Sequence, residues 1–195
     1  MTIAVAILAG GRGSRLGGDA SKPLLEWRGR PLVTWAVDAA LDSGLRPVFV
    51  VIGYRGDEVR AELAARDVQV VDNPEWEEGI ASSLRAALNA LSPMADVDAV
   101  CIGLADQPLV GSEAYRRLAD STNDEIAVAH YDGQPGNPVK LARSLWSAAM
   151  GLRGDIGARA LMRDRVVDQI DCSDTGSAAD IDTLEDLERL QQEDQ

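Results

Sequence analysis

The sequence predicts an α/β fold built on a mostly parallel sheet with helices over both faces, and three observations predict it. Short apolar runs alternate with amphipathic stretches, the joints between them are rich in Gly, Asp and Pro, and no internal repeat interrupts the alternation. Repeated strand–helix units close into a parallel sheet because each crossover lays its helix on a sheet face. Residues 3–9 (IAVAILA) are continuously apolar and run into Gly10-Gly11, the pattern of a strand buried on both faces that feeds a loop. Pro31 suits the first turn of a helix over 32–41, where Leu32, Trp35, Val37, Ala39, Ala40 and Leu41 fall mostly at helical spacing before Gly44. Val48–Ile52 repeats the strand pattern. Thereafter 57–65 reads as helix, 68–71 as strand, 79–91 as helix, 99–104 as strand, 113–119 as helix, 126–129 as strand and 137–141 as a further extended piece. With 195 residues, 46% of them hydrophobic, the chain can bury a sizeable core, and a single domain over 1–195 is expected.

Composition narrows the function classes. The net charge of −13 repels polyanions, which argues against nucleic acid or an anionic membrane face as partner. Apolar runs fall far short of the roughly 20 residues a membrane-spanning helix needs. The start of the chain lacks the basic region of a signal peptide, and Cys101 and Cys172 form neither a metal-binding pair nor a disulfide framework. A cytoplasmic location is the expectation. Against this acidic background, Arg12, Arg15, Lys22, Arg28 and Arg30 crowd the first 30 residues, an arrangement suited to a small anionic ligand.

Ligands of open α/β sheets sit beyond the carboxyl ends of the strands, so the loops after Ala9, after Leu104 and near Asn137 are expected on one rim. The first loop, Leu8-Ala9-Gly10-Gly11-Arg12-Gly13-Ser14-Arg15-Leu16-Gly17-Gly18, packs five glycines between a strand and Lys22. Glycines let backbone N–H groups approach phosphate oxygens closely, and Arg15 and Lys22 suit a triphosphate. No glycine precedes a lysine as a P-loop requires, and the spacing of Gly11, Gly13 and Gly17 misses the dinucleotide pattern. Ile52-Gly53-Tyr54 also lacks the acid that would hold an NAD ribose, which disfavours an NAD-dependent oxidoreductase. Asp106, in Gly103-Leu104-Ala105-Asp106-Gln107-Pro108, ends a buried strand on the ligand rim, where a hard oxygen ligand for Mg²⁺ is useful and a turn aspartate is the plainer reading. Asp180-Ile181-Asp182-Thr183 offers a second carboxylate, although Thr183 with Glu185 and Asp186 also reads as an ordinary helix start. His130, the only histidine, reads as a packing or loop residue, Trp35 as core, and Trp76 as a loop aromatic able to stack on a base or pterin.

These segments resemble the MobA/MocA-like nucleotidyltransferases, and most closely the molybdenum cofactor cytidylyltransferase branch. The matching pieces run in order along nearly the whole chain: the first loop with Lys22 and Leu24-Leu25, Asn73-Pro74-x-Trp76-x-x-Gly79-x-x-Ser82-Ser83-Leu84-Arg85, Leu104-Ala105-Asp106-Gln107-Pro108, Gly136-Asn137-Pro138-Val139, Gly154-Asp155-x-Gly157-Ala158-Arg159 and Asp180-Ile181-Asp182-Thr183. The resemblance implies a Rossmann-like three-layer fold and Mg²⁺-dependent transfer of CMP or GMP from a nucleoside triphosphate to molybdopterin. It implies that Leu8, Ala9, Gly10, Gly11, Gly13, Ser14, Arg15, Lys22, Ser82 and Ser83 hold the nucleotide, and that Arg15, Lys22 and Asp106 are catalytic. By the same resemblance Asp106 and Asp182 hold the metal, with Asp180 the alternative to Asp182, and Trp76, Arg85, Gln107 and Asn137 face the acceptor. Transient contact with a molybdoenzyme or its chaperone follows from that role. Another phosphorylated acceptor such as a sugar phosphate, or a nucleotide-binding module without turnover, are the competing expectations.

Overall fold

Seven strands form one sheet in the order β5-β4-β1-β6-β8-β7-β9 in the computed structural model, which describes residues 1–13, 21–122, 125–163 and 165–192. Along the chain, β1 (Thr2–Ala9) is followed by a small hairpin, β2 (Glu26–Trp27) and β3 (Arg30–Pro31), and then by α1 (Leu32–Asp42), β4 (Val48–Ile52), α2 (Gly56–Glu62) and β5 (Gln69–Asp72). Next come α3 (Ile80–Leu91), β6 (Val97–Leu104), α4 (Ser112–Ala119), β7 (Ile126–Tyr131), β8 (Gln134–Ala142), the short α5 (Trp146–Ala149), β9 (Asp168–Asp171) and α6 (Leu184–Gln192).

β1 pairs in parallel with both β4 and β6, and its alternating side chains explain why the run is apolar throughout. Ile3, Val5, Ile7 and Ala9 join the core under α1 and α4, while Ala4, Ala6 and Leu8 join the core under α3 and α5. Buried Ala81, Leu84, Leu88 and Leu91 lay one face of α3 on the sheet at the spacing of a 3.6-residue turn. Two departures from the expected elements are instructive. The helix expected over 57–65 stops at Glu62, and the strand over 126–129 continues to Tyr131 and turns back directly into β8, which runs antiparallel to both β6 and β7. Asp132 and Gly133, both at positive φ, make that two-residue turn.

The order of connection creates the crevice. From β1 the chain moves outward through β4 to β5 on one side, then returns to place β6 on the other side of β1. The carboxyl ends of β1 and β6 therefore open where successive connections diverge, the position at which doubly wound sheets bind ligands.

A peripheral ion-pair network fastens the hairpin to the body. Asp38 on α1 accepts hydrogen bonds from Arg66 (2.7 Å) and Arg30, and Arg30 also stacks 4.3 Å from the centre of the Trp35 ring. Burial favours the neutral Asp38, but the hydrogen bonds and charges of Arg66 and then Arg30 outweigh it and hold the carboxyl below its usual range. A depressed carboxylate stabilises the fold above its unfolded value of about 4, and that contribution is lost as pH falls through the lower folded value. Asp38→Asn is accordingly expected to cost about 0.5–1 kcal/mol at pH 7, discounted for its exposure, with the difference from the parent closing in acid. Chemical denaturation at pH 7 and below pH 4 measures it, and a pH-independent difference would assign the loss to packing.

Candidate active site

The loops that follow β1 and β6 are joined by their backbones before any side chain is considered. Ala105 N–H donates to the Leu8 carbonyl (3.1 Å), Tyr54 N–H to the Gly10 carbonyl (3.2 Å) and Ile181 N–H to the Asp106 carbonyl (3.1 Å). A cleft of about 440 Å³ opens over this seam, lined by Leu8, Gly10, Gly11, Arg12, Gly13, Trp76, Ser83, Leu104, Asp106 and Asp155 among others. Gly53 is required by close approach: a Cβ there would stand 2.5 Å from Trp76 Cβ and 2.7 Å from the Gly10 carbonyl oxygen. Gly79, which enters α3 at φ 112°, lets the chain turn against the Gly154 backbone and the side chain of Asp155, which lines the same cleft.

At Asp106, which lines this cleft, three charged side chains meet. The Lys22 ammonium contacts the Asp106 carboxylate and lies 2.5 Å from Asp182 Oδ1. Lys22 is held there by a short helical turn, Lys22–Leu24, whose Pro23 is buried. Asp106 is delivered by the end of β6, and Asp182 by a segment anchored through Ile181, which is buried against Trp27, Leu32 and Leu190. Thr183 and Asp186 exchange hydrogen bonds there, Thr183 N–H to Asp186 Oδ2 (2.9 Å) and Asp186 N–H to Thr183 Oγ1 (3.1 Å), capping α6. The helix-start reading and the carboxylate reading of this segment thus hold together. Burial weakens the charged form of Lys22, yet the charges and hydrogen bonds of Asp106 and Asp182 prevail and raise it above the ordinary lysine value.

The donor set fits a hard divalent cation. Two carboxylates from different elements converge on one positive charge, and Asp106 Oδ1 is buried with no hydrogen-bond partner. Among the described residues, no three His, Cys, Asp or Glu side chains gather into a site that could hold a metal unaided. Two carboxylates completed by substrate phosphates are the arrangement Mg²⁺ favours.

The other expected site residues divide. Leu8, Gly10, Gly11, Gly13, Ser83 and Trp76 line the cleft, with Ser83 Oγ accepting from Asn73 Nδ2 (3.1 Å). Trp76 packs against Tyr54 with centroids 5.2 Å apart, and Arg12 lies 5.2 Å from the centre of the Tyr54 ring, so cation and aromatics form one wall. Ala9, 1% exposed, belongs to the core and does not line the cleft. Ser82 is turned inward, donating to the Gly79 carbonyl (2.8 Å) and accepting from Asn73 (2.8 Å). Ser14 and Arg15 lie outside the described residues.

Three expected acceptor residues are placed elsewhere. Arg85 binds Glu75 (2.9 Å), Glu78 and the Leu152 carbonyl (2.9 Å), and it lines a separate groove with Asn73 and Pro74; its guanidinium ties α3 to the neighbouring loops instead of facing the cleft. Gln107 and Asn137 are buried and bonded to one another. The basic N-terminal cluster is likewise thinned, because Arg28 stacks on Trp27 (4.4 Å) and Arg30 on Trp35 within the hairpin. Asp155, which lines the cleft, and Tyr54, which packs on Trp76, carry no functional signal in the sequence: neither Ile52-Gly53-Tyr54 nor Gly154-Asp155 marks a ligand contact by its pattern. Asp180 stands beside the pair; burial and then the Asp106 charge push its carboxyl up, with the Gln107 hydrogen bond opposing.

A glycine-lined cleft at a parallel-sheet switch point, with a lysine between two carboxylates, defines a phosphate-handling α/β protein of the nucleotidyltransferase type. The chain belongs to the MobA-like NTP transferase domain family, whose model matches residues 5–170. It is 33% identical to the nicotine blue oxidoreductase of Paenarthrobacter nicotinovorans over 94% of each chain. It is 35% identical to the bifunctional protein GlmU of Burkholderia thailandensis over 62% of this chain, but spans only 26% of that protein. Rv0371c of Mycobacterium tuberculosis H37Rv superposes with a TM-score of 0.83 at 29% identity, covering 98% of both chains. A second structure of Rv0371c, in complex with manganese, gives a TM-score of 0.78 at 28% identity over 98% of this chain and 99% of that one. Among the described residues no helix is long and apolar enough to cross a membrane.

Proposed function

We propose that this protein transfers CMP or GMP from the corresponding nucleoside triphosphate to a phosphorylated acceptor, with molybdopterin as that acceptor, in the cytoplasm and within one domain. The observation that carries the reading is the convergence of Asp106 and Asp182 on the Lys22 ammonium beside a glycine-lined cleft that Asp106 also lines. Its relation to Rv0371c, crystallised with manganese, supports a divalent metal, for which Mg²⁺ is the proposed choice. Bound between Asp106 and Asp182, such a cation would neutralise triphosphate charge.

In this reading an acceptor phosphate oxygen attacks the α-phosphorus, a new P–O bond forms, the bond to the β-phosphate oxygen breaks and pyrophosphate leaves. The backbone of Gly10, Gly11 and Gly13 lies open to the phosphates, while Arg12 and Lys22 supply positive charge. Arg15 is proposed to share that role. Trp76, which lines the cleft and packs on Tyr54, offers an aromatic face to a base or a planar acceptor. No protein nucleophile is needed, since phosphoryl-type transfer is driven mainly by position and electrostatics.

One observation favours a second reading: the relative alike over 94% of its length is named an oxidoreductase. The end of β4, Ile52-Gly53-Tyr54, carries no acid for a nicotinamide ribose. Pyrophosphate release by the purified protein with Mg²⁺ and each of CTP, GTP, ATP and UTP, with and without molybdopterin, tests the proposal. Release with CTP or GTP that requires molybdopterin is the expected result. Release only with a sugar phosphate would change the acceptor, whereas oxidation of NADH or NADPH without pyrophosphate release would replace the reaction.

A further inference from the structure

Gln107 and Asn137 form a chain whose polarity is set from one end. Asn137 Nδ2 donates to Gln107 Oε1 (3.1 Å), and Gln107 Nε2 donates to Asp180 Oδ1 (2.9 Å) and to the Ala178 carbonyl (2.9 Å). Both amides are buried, Gln107 at 3% exposure and Asn137 at 6%, so water cannot substitute freely for a lost partner. Turning the Gln107 amide over would set its oxygen against a carboxylate and a carbonyl and its NH₂ against the NH₂ of Asn137. The Ala178 carbonyl, which can only accept, and the Asp180 oxygen beside it therefore fix which end of Gln107 faces them, and leave Gln107 Oε1 to take the Asn137 N–H.

The far end of the chain borders the cation pair. Asp180 and Asp182 flank buried Ile181, whose N–H is bonded to the Asp106 carbonyl, so the two carboxylates belong to one short segment seated beside Asp106. The backbone of Asn137 is itself fixed by Tyr131 Oη, which donates to its carbonyl (2.9 Å). The chain thus runs from the antiparallel half of the sheet to the C-terminal carboxylates.

We propose that Asn137 and Gln107 are positioning residues that act through Asp180 to hold the 180–182 segment where Asp182 can share a divalent cation with Asp106. The proposal rests on the reading of that pair as a cation site. Partners that orient metal ligands typically change metal affinity by about 10- to 100-fold when lost.

Binding of Mn²⁺, followed by the electron paramagnetic resonance signal of the free ion, tests it in the full chain, alone and with CTP or GTP. Gln107→Met keeps the length of the side chain and removes both of its hydrogen-bonding ends; it should weaken Mn²⁺ binding about tenfold, with Asn137→Leu shifting it the same way. In an Asp180→Ala background, Gln107→Met should add less than about a twofold change, because the residue through which it acts is gone. An equal loss in both backgrounds, or undiminished affinity in a variant that melts like the parent, overturns the chain of action. Should Gln107→Met not fold, the same cycle is run with Asn137→Leu and read identically. A parent protein that binds no Mn²⁺ with or without nucleotide removes the cation reading and this proposal together, whereas Mn²⁺ binding with an additive cycle removes this proposal alone.

Discussion

Asp106→Ala is expected to lower nucleotide transfer by about 10³-fold or more, the scale at which removal of transition-state charge stabilisation is felt. The expectation follows from where the residue stands. β6 is a central strand, and Asp106 lies just past its end with one carboxylate oxygen on Lys22 and the other buried without a partner. An unpartnered buried oxygen is costly unless a ligand completes it, and a divalent cation is the partner proposed for it. The fold should survive the substitution, because the Asp106 carbonyl still receives the Ile181 N–H and Lys22 still contacts Asp182. Pyrophosphate release and Mn²⁺ binding should therefore fall together while the melting temperature stays close to the parent. Activity unchanged from the parent would sink the metal assignment; lost activity with intact Mn²⁺ binding would move Asp106 to another role.

Much of this site was legible in the sequence because its loops are attached to strands whose apolar runs are unmistakable. The run over residues 3–9 places the glycine loop, and the run ending at Leu104 places Asp106, so the two arrive on one rim as parallel topology demands. What was missed depended on direction rather than composition. Asp132-Gly133 carried the signature of a two-residue hairpin, and recognising it would have made β8 antiparallel and placed Asn137 inside the sheet. Arg85 could not be assigned by pattern, since its choice between a ligand and the carboxylates of Glu75 and Glu78 is settled by rotation about α3. Arg28 and Arg30 gave the same false impression of a basic pocket, because stacking on Trp27 and Trp35 is a tertiary event. The joining of Lys22 to Asp182 across 160 residues of sequence is likewise a property of the folded chain, produced by the burial of Ile181 beside Trp27 and Leu32.

Lys22→Ala is expected to move two measurements in opposite directions. Transfer should fall by roughly 10²- to 10³-fold, as the ammonium that would offset triphosphate charge is removed. Mn²⁺ binding without nucleotide should instead tighten, by about tenfold, a change of about 1.4 kcal/mol at this ratio. The reason is competition for the same oxygens. Lys22 lies between Asp106 and Asp182 with 12% of its side chain exposed, so an entering cation must displace the ammonium from these oxygens. Removing one member of a fully buried ion pair costs about 3–5 kcal/mol; here the cost is smaller because the Asp182 side chain is 41% exposed. That residual repulsion between two carboxylates is what a divalent cation would relieve. With a triphosphate in the cleft, Lys22 gains phosphate oxygens as an alternative partner, so nucleotide binding and metal binding should reinforce each other in the parent and become less coupled in the variant. Titrating Mn²⁺ into both proteins with and without CTP or GTP separates the cases. Tighter nucleotide-free binding with weaker coupling would establish Lys22 as the occupant that nucleotide displaces, whereas weaker binding in the variant would mean that the lysine helps assemble the cation site instead of filling it.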